Sequence, residues 1–163
     1  MIIQKFNDLT GQLLHELHAC YGPRLVSVVL FGSVARNTPS YDSDVDILII
    51  ANDLPEGRMR RVREFDDVEE RLSSAIQSLQ EYNIHTIFSP IFKTPDEALR
   101  GSPLFIDMVD DAQILFDPSG FFKKIISGLK AKLAERGARR IWNGNAWYWD
   151  LKPDYRPGEV FDI

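Results

Sequence analysis

The first stretch whose residue types could do chemistry is Gly32-Ser33, which directly follows the apolar, β-branched residues 26–31. An apolar run of this length without a helical period predicts a buried strand. Gly32 permits a tight turn, and Ser33 is a favoured N-cap for a helix that begins near Val34. Unpaired amides and the helix dipole at such an N-terminus favour anions, so the turn is a candidate phosphate site. Because Gly-Ser turns are common, this signal is weak by itself.

Two carboxylates lie at the start of the next apolar run, residues 45–50. Asp44 and Asp46 are separated by one residue, so in a strand they project from the same face, roughly 6–7 Å apart along the backbone. Burying two aspartates without compensation is costly, and a divalent cation is the natural reason for the arrangement. Two Mg²⁺ ions between such carboxylates and substrate phosphates can stabilise an in-line displacement. A polar turn that starts a strand, with Asp46 exposed, is the alternative.

Taken together, these residues resemble the nucleotidyltransferase domain of the DNA polymerase β superfamily, and its small prokaryotic members in particular. The features that carry the resemblance are Gly32-Ser33, Arg36 and the run Ser43-Asp44-Val45-Asp46. In that family the Gly-Ser turn holds the nucleoside triphosphate and the paired aspartates bind catalytic Mg²⁺ or Mn²⁺. The resemblance therefore implies substrate binding by Gly32, Ser33 and Arg36, and catalytic metal binding by Asp44 and Asp46.

The implied activity is Mg²⁺-dependent transfer of a nucleoside monophosphate from a triphosphate, with ATP as the expected donor, to an acceptor hydroxyl. Small members of the superfamily are often found beside a helical HEPN protein as a toxin–antitoxin pair, so the acceptor could belong to a partner protein. Aminoglycosides and RNA ends are other acceptors in the superfamily. A non-catalytic nucleotide- and metal-binding module, acting as an antitoxin or regulatory partner, is the alternative.

One departure from the family pattern concerns a third carboxylate. Active members usually carry it on a later strand, and the matching strand here is predicted over residues 84–92, where Ser89 occupies the position. A neutral hydroxyl is a weaker Mg²⁺ ligand than a carboxylate. Asp96 or Glu97, a few residues further on, could reach back to the site.

Hydrophobic periodicity predicts the elements that position these residues. Helices are expected over residues 2–20 and 58–82, where apolar side chains recur every three or four residues. Strands are expected over residues 26–31, 45–50, 84–92 and 113–117, with short helices between the last two. This order predicts an α+β fold of the polymerase-β-like nucleotidyltransferase type, in which helices cover one face of a mixed sheet.

The end of the chain differs in character from the rest. Residues 121–136 have a helical apolar pattern, and the chain then becomes basic and aromatic, with all three tryptophans at positions 142, 147 and 149. We expect a nucleotidyltransferase-like domain over residues 1–118 and a C-terminal helix with an aromatic extension over residues 119–163. The extension is expected to pack back on the domain, with a partner interface or base stacking as the alternatives.

Composition limits the classes of partner. The 163 residues are 44% hydrophobic and carry one cysteine, Cys20, so an internal disulfide is excluded and one core is well supported. The net charge of -5 opposes a broad nucleic-acid-binding surface but leaves a local basic patch open. No apolar run is long enough for a membrane span, and we expect a cytoplasmic protein without a membrane partner. The oligomeric state, including a homo-oligomer, stays open.

Overall fold

The computed structural model describes residues 1–144 and 146–161. In these ranges the chain forms helices and strands in the following order: α1 (Ile2–Tyr21), β1 (Leu25–Phe31), α2 (Gly32–Ala35), β2 (Val45–Ala51), α3 (Arg58–Gln80), β3 (Phe88–Lys93), α4 (Pro95–Leu99), α5 (Leu104–Asp111), β4 (Gln113–Phe116), α6 (Phe121–Glu135), β5 (Arg139–Asn143) and β6 (Ala146–Asp150). No helix in the described part of the chain is long and apolar enough to cross a membrane.

Four strands form the main sheet in the order β3-β2-β1-β4. β1 pairs antiparallel with both β2 and β4, while β2 and β3 run parallel. A sheet with both kinds of pairing confirms the predicted mixed α+β fold. The two central strands, β1 and β2, carry the residues that the sequence singled out, so the candidate site lies at the middle of the sheet.

Helices cover this sheet more completely than predicted. On one face, α1 and α3 bury Leu13, Leu17 and Phe65 against the strands. The other face is covered as well, because Phe105 of α5 and Phe122 of α6 pack in a second core. Residues 47–50 of β2 are fully buried, which requires apolar side chains on both faces and explains why this strand is a continuous apolar run.

The strand predicted over residues 84–92 is shorter in the structure, where β3 begins at Phe88. Residues 84–87 form a connection, although the Ile87 carbonyl accepts a hydrogen bond of 2.9 Å from the amide of Val45. The β2–β3 register then places Asp46 directly opposite Ser89. The predicted alignment of Ser89 with the first strand residues of the site is therefore present despite the shifted boundary.

The aromatic extension folds into a separate two-stranded sheet. Strands β5 and β6 pair antiparallel, with Asn143 opposite Ala146 and Trp142 opposite Trp147. The preceding helix α6 is fixed by Asp117, whose carboxylate accepts hydrogen bonds from the buried Ser27 hydroxyl at 2.8 Å and from two amides of the first turn of α6. The expected division of the chain after residue 118 stays a prediction, and Ile163 lies outside the described residues.

Candidate active site

Gly32 forms the end of β1 and the turn into α2, and its backbone lies directly against a carboxylate. Its φ of 73° is in the left-handed region, which strongly favours glycine. A Cβ placed on Gly32 would clash with Oδ2 of Asp46 and would lie 3.1 Å from its Cγ. The missing side chain is therefore what allows the phosphate-turn candidate and the metal-ligand candidate to occupy one site.

Ser33 has a different role from the predicted N-cap. The one-turn helix α2 begins at Gly32 with Phe31 as its N-cap, and no side chain caps it. The Ser33 hydroxyl instead donates to the Ser43 hydroxyl at 3.0 Å, and the amide of Ser40 donates to the same Ser43 oxygen at 2.8 Å. These bonds tie the turn after β1 to the segment that leads into β2, which fixes the loop holding Asp44.

The two aspartates are brought together at the start of β2. Asp44 is exposed and immediately precedes the strand, whereas Asp46 is partly buried and pairs with Phe31 of β1. Burial raises the pKa of Asp46, and the negative charge of Asp44 raises it further. Hydrogen bonding by Ser89 and the positive charge of Arg36 act in the opposite direction but leave the pKa raised. The ionised pair is thus electrostatically undercompensated.

This charge imbalance fits a divalent cation, since carboxylate oxygens are hard ligands and Mg²⁺ needs only one or two of them beside substrate phosphates. Within the described ranges, no group of three or more His, Cys, Asp or Glu side chains is arranged to hold a metal ion. The protein donors available here are therefore the Asp44 and Asp46 carboxylates. Ser89 faces Asp46 across the register and offers one hydroxyl oxygen.

Glu97 does not supply the third carboxylate. Its two oxygens form a forked ion pair with Arg61 at 2.7 and 2.9 Å, and one of them also accepts from the amide of Thr94. The hydrogen bonds from Arg61 lower the pKa of Glu97 to about 2. This carboxylate is ionised and already paired, so it stabilises the start of α4 rather than reaching the aspartate pair.

An open cleft of about 560 Å³ borders the aspartate pair on the β3 side. Ser89 lies in its wall together with Arg58 and the Arg61–Glu97 pair. The cleft gives a second molecule access to the edge of the site. Its basic residues are part of the charged start of α3.

Arg36 ends α2 and is held by contacts that the sequence did not reveal. Its guanidinium lies 3.9 Å from the Asp111 carboxylate and 4.5 Å from the centre of the Trp147 ring. Asp111, which a turn context suggested to be solvated, also forms a forked pair with Arg140. Only the folded chain brings these distant residues to α2, and the one available sequence signal was the Asn143-Gly144 turn of the hairpin.

Comparisons with known proteins bear on this site. The sequence model of the nucleotidyltransferase domain family matches residues 13–110. The Methanocaldococcus jannaschii protein named "Putative protein adenylyltransferase MJ1305" is 31% identical over 126 residues, which cover 76% of this chain and 80% of that protein.

Two solved structures share part of the fold. One is a toxin–antitoxin crystal structure with AMP-PNP, with 21% identity, a TM-score of 0.48, and 77% of this chain and 90% of that chain covered. The other is the toxin–antitoxin MntA–HepT, with 20% identity, a TM-score of 0.40, and coverage of 76% and 87%. On the family match and the sequence relative, this chain belongs to the nucleotidyltransferase domain family.

Proposed function

We propose that this nucleotidyltransferase moves AMP from ATP to a hydroxyl on a partner protein in a Mg²⁺-dependent reaction. The observation that carries the proposal is the contact of the Asp46 carboxylate with the backbone of Gly32, which places metal donors and a phosphate turn in one site. Family membership supports the reaction class. The name of the M. jannaschii relative supports ATP as the donor and protein as the acceptor.

The chain's own residues would divide the work as follows. Gly32 lets the triphosphate approach the backbone, and the Ser33 hydroxyl, held by Ser43, fixes the shape of the turn. Asp44 and Asp46 would hold Mg²⁺, which supplies charge neutralisation for the attacking and leaving oxygens. Arg36 contributes a positive charge that already reaches Asp46 electrostatically. The positive charge and the turn together orient the phosphates beside the aspartates.

The reaction balances as a single displacement. The acceptor oxygen forms a bond to the α-phosphorus, the bond from that phosphorus to the bridging oxygen of the β-phosphate breaks, and pyrophosphate leaves while the acceptor loses its hydroxyl proton. The cleft beside Ser89 is the side from which an acceptor would enter. A HEPN-type protein is the acceptor that we propose, because the small members of the superfamily that this chain resembles often pair with one.

The test is transfer of label from α-³²P-ATP to a co-purified or co-expressed HEPN-type partner, with and without Mg²⁺. The wild type should label the partner and release pyrophosphate, and Asp46→Asn should abolish both. Asp42→Asn is the matched control, because Asp42 is an exposed aspartate in the same loop and loses the same charge. Equal labelling by wild type and Asp46→Asn would refute the assignment of the site.

A non-catalytic binding module is the second candidate, and Ser89 is the observation that favours it. Ser89 stands opposite Asp46 at the position where active family members carry a carboxylate, and a hydroxyl is a weaker metal ligand. Mg²⁺-dependent ATP binding without pyrophosphate release, measured with the partner present, would support this function. Pyrophosphate formation that requires Asp46 would exclude it.

A further inference from the structure

The C-terminal hairpin contacts the candidate site through one arginine. The Trp147 ring lies between two guanidinium groups, 4.5 Å from Arg36 and 4.7 Å from Arg140, measured to the ring centre. Both arginines also pair with Asp111 at the end of α5. Asp111, Arg140 and Trp147, here called the Arg36 clamp, thus hold Arg36 from two sides.

The charges of this cluster leave Arg36 the less neutralised of the two arginines. Arg140 makes a forked pair with Asp111 at 2.6 and 3.3 Å, and its side chain is only 10% exposed. Arg36 lies 3.9 Å from the same carboxylate and is 24% exposed. Because one carboxylate serves two guanidinium groups, the cluster keeps a net positive charge. That charge is on the side of Arg36, which acts electrostatically on Asp46.

Trp147 contributes to Arg36 in a way that is separable from the docking of the hairpin. The Asp111–Arg140 fork by itself joins β5 to the end of α5, whereas the Trp147 ring is in contact with Arg36. An aromatic face attracts a guanidinium group and restricts its position. On the same strand, the neighbouring Tyr148 side chain is 57% exposed, as expected when successive side chains point to opposite faces.

We propose that Trp147 is a positioning residue for the nucleotide site: it fixes Arg36 so that the guanidinium reaches the triphosphate of the bound nucleotide. This inference rests on the proposed function. It makes the hairpin, which lies outside the matched residues 13–110, part of the nucleotide site rather than an appendage. Held in one place, Arg36 binds the phosphates without first losing the freedom of a long side chain.

The first measurement is calorimetric titration of Mg²⁺-ATP into wild type, Trp147→Leu, Trp147→Phe and Tyr148→Ala. Leucine keeps apolar bulk under the hairpin but has no aromatic face, so we expect the dissociation constant to rise about 3- to 10-fold. Phenylalanine keeps an aromatic face and should recover most of this loss. Tyr148→Ala is the matched control, because it removes an exposed aromatic side chain from the same strand, and binding should change by less than about twofold.

Steady-state kinetics of adenylyl transfer give a readout that a merely structural role would not move. Trp147→Leu should raise KM for ATP while kcat stays within about twofold, because the phosphate contact is made in the bound ground state as well as in the transition state. A purely structural effect would instead lower the active fraction and reduce kcat with KM unchanged. Circular dichroism and thermal unfolding of each variant report whether the fold is kept.

A third measurement is independent of any nucleotide. The chain has three tryptophans, so three indole N–H signals are expected in a proton–nitrogen NMR spectrum. Arg36→Gln should shift the Trp147 signal in the free protein.

The outcomes separate the inference from the proposed function. If wild type binds Mg²⁺-ATP and Trp147→Leu binds it equally well, the positioning role is wrong and the proposed function stands. If wild type binds no nucleoside triphosphate, both fall. An unchanged Trp147 signal in Arg36→Gln would refute the Arg36–Trp147 contact itself.

Discussion

Replacing Gly32 by alanine tests how the phosphate turn and the aspartate pair share space. Two costs are expected. The left-handed φ of 73° costs a residue with a side chain about 1–2 kcal/mol. The new Cβ would also overlap Oδ2 of Asp46 and lie 3.1 Å from its Cγ, and overpacking of this kind costs about 1–3 kcal/mol. Gly32→Ala should therefore lower the free energy of unfolding by about 2–5 kcal/mol.

Gly120→Ala is the matched control for the backbone term. Gly120 has a φ of 68°, and a Cβ at this position would meet nothing within 4 Å. We expect a loss of only about 1–2 kcal/mol there. Urea unfolding of both variants, followed by circular dichroism, measures the difference, which is the cost of the clash.

A second background isolates the clash itself. Asp46→Ala removes Oδ2 and Cγ and leaves only the Cβ of residue 46, at 3.4 Å from the Cβ that alanine introduces at residue 32, which is an ordinary contact. In this background Gly32→Ala should cost about as much as Gly120→Ala, giving a coupling of about 1–3 kcal/mol in the double-mutant cycle. Equal costs of Gly32→Ala with and without the Asp46 carboxylate would refute the reasoning.

Four further outcomes follow from the same contacts. Asp46→Asn should raise Tm at about pH 8 more than at about pH 4: the folded-state pKa of Asp46 is raised, so wild type loses stability as pH rises through it, whereas asparagine does not titrate. Glu97→Gln should cost about 1–2 kcal/mol near neutral pH, discounted for partial exposure, and less as pH falls from about 4.5 towards about 2, because the pKa of Glu97 is lowered by Arg61. Urea unfolding at several pH values measures this loss, and a constant loss at all pH values would contradict it. Asp117→Ala should cost about 2–4 kcal/mol, measured in the same way, because it leaves a buried hydroxyl and two amides of α6 without their acceptor. Ser89→Asp should lower Tm in EDTA and tighten Mg²⁺-ATP binding in calorimetry, because it adds a third carboxylate opposite Asp46; unchanged Mg²⁺-ATP binding would contradict this placement.

Much of the sheet could be predicted from the sequence because its central strands have a strong local signal. Residues 26–31 and 45–50 are apolar and β-branched, and both lie in strands that are buried on two faces. The spacing of Asp44 and Asp46 also survives folding, since it depends only on the alternation along one strand.

Features that depend on distant residues were not predictable in the same way. Ser33 was expected to cap a helix, but the nearby Ser43 hydroxyl is its acceptor, and this competition is settled by the loop path. Asp111 was interpreted as solvated because nothing local indicates that Arg140, 29 residues later, would pair with it. The coverage of the second sheet face likewise follows from where α5 and α6 return to the sheet.

The sheet order β3-β2-β1-β4 has a consequence for synthesis of the chain, because the site is assembled from segments that leave the ribosome at different times. Gly32, Asp46 and Ser89 are all present once β3 has been made, and β1, β2 and β3 are already neighbours at that point. The partners of Arg36 arrive only with α5 and the hairpin. Since domains fold from the N-terminal side during translation, the aspartate pair forms before the tryptophan that steadies Arg36 has been added, and the nucleotide site is completed last.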